Sequence, residues 1–193
     1  MRTVRMVTSN DGKAREFDRA LEGIEWRVER VPAPYPELQA DTLDEVAWAS
    51  ARYLLEAGLV EPPFFLEDAG LFVDALGGFP GVYSAYVLST IGTAGVLRLM
   101  EGQRDRAASF EGRVALCLEA GEVELLGGSC RGELAREARG EGGFGYDPIF
   151  VPQGHSRTFA EMSVEEKGAV SHRGRSAQAL RERLSELAPM TSP

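Results

Sequence analysis

The hydrophobic positions of this chain repeat with two alternating periods, and their order predicts its architecture. TVRMVTS (residues 3–9) repeats every second position, as a strand does, and NDG then supplies a turn. KAREFDRALEG follows with Phe17 and Leu21 on one helical face. EWRVERV (25–31) reads as a second strand. In PAPYPELQAD (32–41) the prolines lack backbone donors, so that stretch is a loop. Thr42 with Glu45 forms a capping box for a helix through about Ala57, and PPFFLED (62–68) predicts a short buried strand ending in Glu67 and Asp68.

Beyond the acids the pattern changes. AGLFVDALGGFPGVYSA (69–85) reads as loop-rich, and STIGTAGVLRLMEG (89–102) as containing a helix. RAASFEGRVALCLE (106–119) and EVELLGGSCRGELAREAR (122–139) predict long antiparallel strands turned at Ala120–Gly121, a second lobe of mostly β structure. Ser163 and Glu166 form another capping box, and GRSAQALRERLSEL (174–187) is a terminal amphipathic helix. The sum is an α/β domain spanning 1–193: a long mixed sheet flanked by helices, two lobes and a central cleft.

Composition narrows the possible functions. The 193 residues are 44% hydrophobic and 26% charged, as expected of a folded globular chain rather than a disordered one. No apolar run approaches the ~20 residues of a membrane span, and MRTVRMVTSNDGK lacks a signal-peptide block, which predicts a cytoplasmic protein with no membrane partner. The two cysteines, Cys117 and Cys130, have no metal-ligand spacing. A net charge of -9 argues against nucleic acid as a partner, and a polyanionic ligand must meet a local positive site or bring its own cation.

Four stretches carry candidate chemistry. Thr8–Lys13 (TSNDGK) joins a strand to a helix N-terminus, where backbone N–H groups, the hydroxyls of Thr8 and Ser9 and the Lys13 ammonium suit an anion, although an ordinary Asn-capped helix reads the same way. GEGGFG (140–145) satisfies a dinucleotide-binding spacing, but Pro148 disfavours the helix that such a motif must open, leaving a glycine-flexed loop that presents Phe144, Tyr146 and Asp147. Glu67 and Asp68 are adjacent on a strand, so one of them should face the cleft, where a carboxylate such as Glu37 would complete a Mg²⁺ site. Finally, Lys167, His172 and Arg173 gather donors suited to a phosphate or a keto oxygen.

Taken in order, TSNDGK, PELQAD, LEDAGLFVDALGGFPGVYSA, GGFGYDPIF and TFAEMSVEEKGAVSHRG make the whole chain closely resemble the inosine/xanthosine triphosphate pyrophosphatase family. The resemblance implies a homodimeric, Mg²⁺-dependent hydrolase that converts deaminated purine nucleoside triphosphates (ITP, dITP, XTP) to the monophosphate and pyrophosphate. It implies that Thr8, Ser9, Asn10, Asp11, Gly12 and Lys13 hold the triphosphate, with Lys167 adding a second cation. Glu37 and Asp68 would bind Mg²⁺, with Asp68 also the proton acceptor. Phe144, Gly145, Tyr146 and Asp147 would line the base and sugar pocket, and His172 and Arg173 would contact the purine.

Two positions depart from the family pattern. Ala69 stands where a small hydroxyl is usual, leaving its backbone N–H to serve phosphate, and Ser50 stands where many bacterial relatives carry a lysine that Arg52 is poorly placed to replace. An ordinary aspartate titrates near ~3.9, too low for a strong base, so Asp68 requires either a metal that acidifies the water or a neighbouring Glu67 that raises its affinity for protons. The donors at His172 and Arg173 suit a 6-keto purine and would be left unpaired by adenine. A pyrophosphatase for other modified nucleotides, a phosphatase releasing orthophosphate and a catalytically impaired nucleotide-binding module are the alternatives.

Overall fold

A computed structural model describes residues 2–187 except Glu37 and Gln39. Its sheet has seven strands: β1 (Arg2–Val7), β2 (Trp26–Val31), β3 (Phe64–Val73), β4 (Pro80–Gly81), β5 (Ala107–Cys117), β6 (Glu124–Leu134) and β7 (Phe150–Pro152). The order is β2-β1-β3-β5-β6-β7, with β4 on the far part of β3. The β1 strand runs parallel to β2 and β3, and the remaining pairings are antiparallel, so the sheet is mixed and open.

Among the described residues six α-helices clothe it: α1 (Asp11–Ala20), α2 (Leu43–Glu56), α3 (Ser84–Thr90), α4 (Gly92–Leu99), α5 (Val164–Val170) and α6 (His172–Glu186). Both expected capping boxes are present, Thr42 with Glu45 on α2 and Ser163 with Glu166 on α5. On one face Phe17 of α1 and Leu180 of α6 cover Phe65 and Val114, and on the other Ala47 and Leu54 of α2 cover Leu66 and Ala115. A third cluster, built on Phe110, Phe150 and Phe159, fills the end of the sheet reached by β5 and β6.

Three expectations need correcting. The acids do not end their strand: β3 continues through them to Val73, because its whole length pairs with β5 and its apolar residues beyond the acids, Leu71 and Val73, are buried. The segment after Val73 is correspondingly more regular than a loop, with β4 and α3 in it. The helix expected within 89–102 is α4, which follows α3 after a break at Ile91–Gly92, where Gly92 has a positive φ of 65° that most side chains disfavour. The terminal helix begins at His172 rather than Gly174, capped by Ser171, whose side chain accepts the N–H of Gly174.

The topology itself makes a crevice. The pairing of β1 with β3 ends at Val7 and Leu66, and β4 joins β3 only from Leu71, so Glu67–Gly70 have no strand beside them on that edge. The chain leaving β1 turns into α1 next to this gap. Open α/β sheets bind ligands at such places, outside the carboxyl ends of strands.

Candidate active site

Strand pleating decides what each acid sees. Asp68 follows Leu66 on the α2 side, whereas Glu67 follows Phe65 on the α1–α6 side. On the α2 side lies a cleft of about 950 Å³, lined by Thr8, Ser9, Asn10 and Lys13 from the β1–α1 junction, by Glu67 and Asp68 from β3, and by Ser50 from α2. Its remaining walls are apolar, from the Pro34–Tyr35 segment to Tyr83 and Tyr86 of the α3 region.

At the β1–α1 junction Asn10 caps the helix, its Oδ1 accepting the N–H of Lys13 at 3.0 Å, and Thr8 Oγ1 accepts the N–H of Asn10 at 3.1 Å. Asp11 points away and pairs with Arg30 at 2.5 Å. The Lys13 ammonium reaches into the gap beside β3, donating to the carbonyl oxygen of Glu67 at 2.7 Å and meeting its Oε2 at 2.9 Å. The ammonium thus occupies a main-chain acceptor at the point where β1 has stopped.

Asp68 Oδ1 accepts the N–H of Ala69 at 2.9 Å, so the one donor Ala69 offers is already engaged by its neighbour. Ser50 is buried against the cleft, and Arg52 is paired with Glu56 at 2.5 Å on the outer face of α2, so it does not replace the missing lysine. Lys13 is the sole cation among the described residues that line the cleft.

Behind Glu67 lies a second, sealed region. Arg173 Nε donates to Glu67 Oε1 at 3.2 Å, and Arg173 Nη1 donates to Glu16 Oε2 at 2.8 Å. Lys167 Nζ donates to Glu16 Oε1 at 2.7 Å and to Asp147 Oδ2 at 2.6 Å. Burial by itself would raise the pKa of Glu67, but Arg173 and Lys13 more than offset it and hold the group at about 2. For Asp147 burial prevails over the attraction of Lys167, and its pKa is raised. The negative charge of Glu67 is thus matched by two cations, Lys13 and Arg173.

The glycine-flexed loop closes over this region. Asp147 Oδ2 also accepts the N–H of Phe144 at 2.8 Å, a turn that relies on Gly143, where φ is 69° and a side chain would collide with that same oxygen. The Phe144 ring is seated on Gly12, whose absent Cβ would lie 2.5 Å from it, and Lys167 and Arg173 face the ring at 4.8 and 5.2 Å. Gly145 continues the loop in a left-handed conformation. Tyr146 is buried and gives its hydroxyl to the carbonyl of Ser84 at 2.8 Å, so it anchors the loop rather than presenting its polar end to a pocket.

His172 stacks on Phe110 with ring centroids 4.7 Å apart, and both of its ring nitrogens are buried without a hydrogen-bond partner among the described residues. Burial, reinforced by Arg173, pushes its pKa well below the usual value, so the imidazole is neutral and carries one donor and one acceptor. Such orphaned groups are rare in native interiors and mark a place for a ligand or water.

The sequence-predicted residues therefore fall into two sets. Thr8, Ser9, Asn10, Lys13 and Asp68 meet in the open cleft, while Asp147, Lys167, His172 and Arg173 meet in the sealed region, and Glu67 touches both. Glu37 lies outside the described residues. Glu16 was not anticipated: an acid three residues after Lys13 on a helix looks like part of a solvated face, and only folding shows it bridging Lys167 and Arg173.

No group of three or more His, Cys, Asp or Glu suited to a metal occurs among the described residues. A Mg²⁺ ion that keeps waters and takes substrate phosphates needs only one or two carboxylates, and Asp68 at the cleft meets that requirement. A second depression of about 780 Å³ near β6 and β7 contains none of these residues, and its Arg106 is occupied with the carbonyls of Met100, Leu134 and Ala135.

Known proteins share this arrangement's sequence and fold. The model of the Ham1 family matches residues 4–183. A dITP/XTP pyrophosphatase of Thermococcus kodakarensis is 52% identical over 176 residues, covering 91% of this chain and 92% of its own, and one of Methanopyrus kandleri is 48% identical over 179 residues, covering 93% and 94%. The structure of a HAM1 protein from Coxiella burnetii superposes with a TM-score of 0.83 at 32% identity, covering 96% of this chain and all of the other.

Proposed function

The chain belongs to the Ham1 family, and from that premise we propose that it hydrolyses deaminated purine nucleoside triphosphates, of the dITP and XTP kind, to the monophosphate and pyrophosphate. The observation that carries the reading is the meeting of Asp68 with the Thr8–Lys13 segment in one cleft, with the unpaired His172 imidazole buried behind it. In this reading the triphosphate lies along the N-terminus of α1, where the hydroxyls of Thr8 and Ser9 and the backbone N–H groups donate to its oxygens and Lys13 supplies charge.

Asp68 takes a proton from water as the water oxygen bonds to the α-phosphorus and the bond from that phosphorus to the bridging oxygen breaks, releasing pyrophosphate. A Mg²⁺ ion held by Asp68 and the substrate phosphates, with Glu37 as a further ligand, would supply positive charge to the triphosphate and acidify the attacking water. Because Lys13 is the cleft's cation and is itself shared with Glu67, the chain's own positive charge falls far short of a tetra-anion's, which supports the requirement for a divalent ion.

The purine enters between Phe144 and the buried donors, displacing the ring from Lys167 and Arg173. Hypoxanthine and xanthine present a 6-keto acceptor to donors at His172 and Arg173. Adenine presents an amino group there and leaves buried donors unpaired, a mismatch that rejects by a factor on the order of 10⁴ in sites of this kind. The same proposal covers residues 1–193 acting as one catalytic domain, in a homodimer and in the cytoplasm. The single domain is supported by relatives that align over more than nine-tenths of the chain, and among the described residues no helix is long and apolar enough to cross a membrane.

Product analysis tests the reading. With Mg²⁺ present, dITP and XTP should yield pyrophosphate much faster than dATP or dGTP; orthophosphate as the product, or equal kcat/KM for all four, would contradict it.

A further inference from the structure

Six charged side chains stand in single file between the two regions: Lys13, Glu67, Arg173, Glu16, Lys167 and Asp147. The signs alternate, and each interior member is shared by its two neighbours. Glu67 lies between Lys13 at 2.9 Å and Arg173 at 3.2 Å, and Arg173 in turn lies between Glu67 and Glu16. Glu67 and Arg173 are almost completely buried, at 3% and 4% exposure, so their charges are balanced by these partners rather than by bulk water. A buried carboxylate that loses one of two cations must hold the other more tightly, because an unpaired charge there is costly.

The ends of this Lys13–Glu67–Arg173 bridge face different things. Lys13 lines the open cleft, whereas Arg173 faces the Phe144 ring next to the unpaired His172. The guanidinium is rigid and planar, so turning it toward a ligand disturbs its contacts with both acids at once.

We propose that Glu67 is a positioning residue that sets the two halves of the substrate site against each other. An anion that draws Lys13 away tightens Arg173 on Glu67, and a purine that draws Arg173 away tightens Lys13 on the same carboxylate. The inference rests on the reading of the cleft as a triphosphate site with the base at Arg173. Only a ligand whose two ends are covalently joined holds both cations off Glu67. Once the bond is cut, the pyrophosphate and the nucleoside half weaken each other's binding, which speeds the departure of both.

Two neutral or simple probes test this without turnover: 2′-deoxyinosine, which carries no phosphate to repel an anion, and inorganic pyrophosphate with Mg²⁺. Calorimetric titration of the wild-type protein with pyrophosphate should give a Kd about fivefold or more weaker when deoxyinosine is saturating, the lower end of usual coupling between sites. In Glu67→Gln the two affinities should become independent, and in Glu67→Asp the antagonism should return at least in part. Where Glu67→Gln lacks a cooperative thermal transition, Lys13→Gln decides the matter. Its deoxyinosine affinity should fall about fivefold or more, although Lys13 does not reach the base. Independent binding in the wild type, or unchanged deoxyinosine affinity in Lys13→Gln, overturns the inference while leaving the proposed activity intact. Failure of the wild type to bind either probe would instead overturn the reading of the site, and the inference with it.

Discussion

The open cleft and the sealed region behind it are built from the same charge chemistry but to different ends. In the cleft, Asp68 and the Thr8–Lys13 segment face a space of about 950 Å³ with a single lysine among the described lining residues. Behind Glu67, the cations Lys167 and Arg173 are already matched to Glu16, Glu67 and Asp147, and the Phe144 ring covers them. On the proposed reading, phosphates would meet an open space, whereas a base would have to exchange these internal ion pairs for external ones, so that recognising it would draw on the same contacts that stabilise the fold.

Loss of the Asp68 carboxylate should have the largest effect on turnover. Asp68→Asn should lower kcat by about 10²–10⁴-fold, the usual contribution of a positioned base, while a calorimetric titration still detects nucleotide. Near-normal turnover would remove Asp68 from the chemistry.

The sealed region is probed by stability. Glu67→Gln leaves Arg173 and Lys13 short of an anion and should cost about 3–5 kcal/mol in unfolding free energy, measured by denaturant titration. The pH dependence has a definite sign. The folded pKa of Glu67 is about 2 against an ordinary 4.5, so the unfolded chain binds the proton first as acid is added. The stabilisation is complete above about 4.5 and is lost as pH falls toward about 2. Glu16, whose pKa is lowered by Arg173 and Lys167 despite a burial effect that opposes them, adds in the same direction. The wild-type melting temperature should drop across that interval more steeply than that of Glu67→Gln; parallel curves would mean that Glu67 is not the group being protonated.

The smallest effect belongs to neither region. Arg52 pairs with Glu56 on the exposed side of α2, and Arg52→Ala should change stability by at most about 0.5 kcal/mol and leave kcat/KM for dITP unaltered. A large loss of activity would show that Arg52 compensates for Ser50 after all.

Much of the fold was legible in the sequence because local signals agreed with the tertiary structure. The capping boxes at Thr42 and Ser163 and the alternation of β5 and β6 are cases where short-range pattern and packing coincide. The full length of the strand bearing Glu67 and Asp68 is not legible in the sequence, because two adjacent acids look like a surface end. Only partners distant in sequence, Lys13 and Arg173, make it possible to bury Glu67 in mid-strand. The same holds for the site. The motifs named the residues, but not the separation of Asp68 from Lys167, His172 and Arg173 by the thickness of a strand, nor the bridging role of Glu16. Those features depend on pleating and on long-range ion pairs, for which a single sequence carries no period. Tyr146 is a milder case: its place in an aromatic loop suggested a pocket wall, and its hydroxyl turned out to be engaged by Ser84.

The site of attack is read most directly from hydrolysis of dITP in water enriched in oxygen-18, with both products analysed by mass spectrometry. Attack at the α-phosphorus predicts one heavy oxygen in the monophosphate and none in the pyrophosphate. Label in the pyrophosphate, or in orthophosphate, would contradict it.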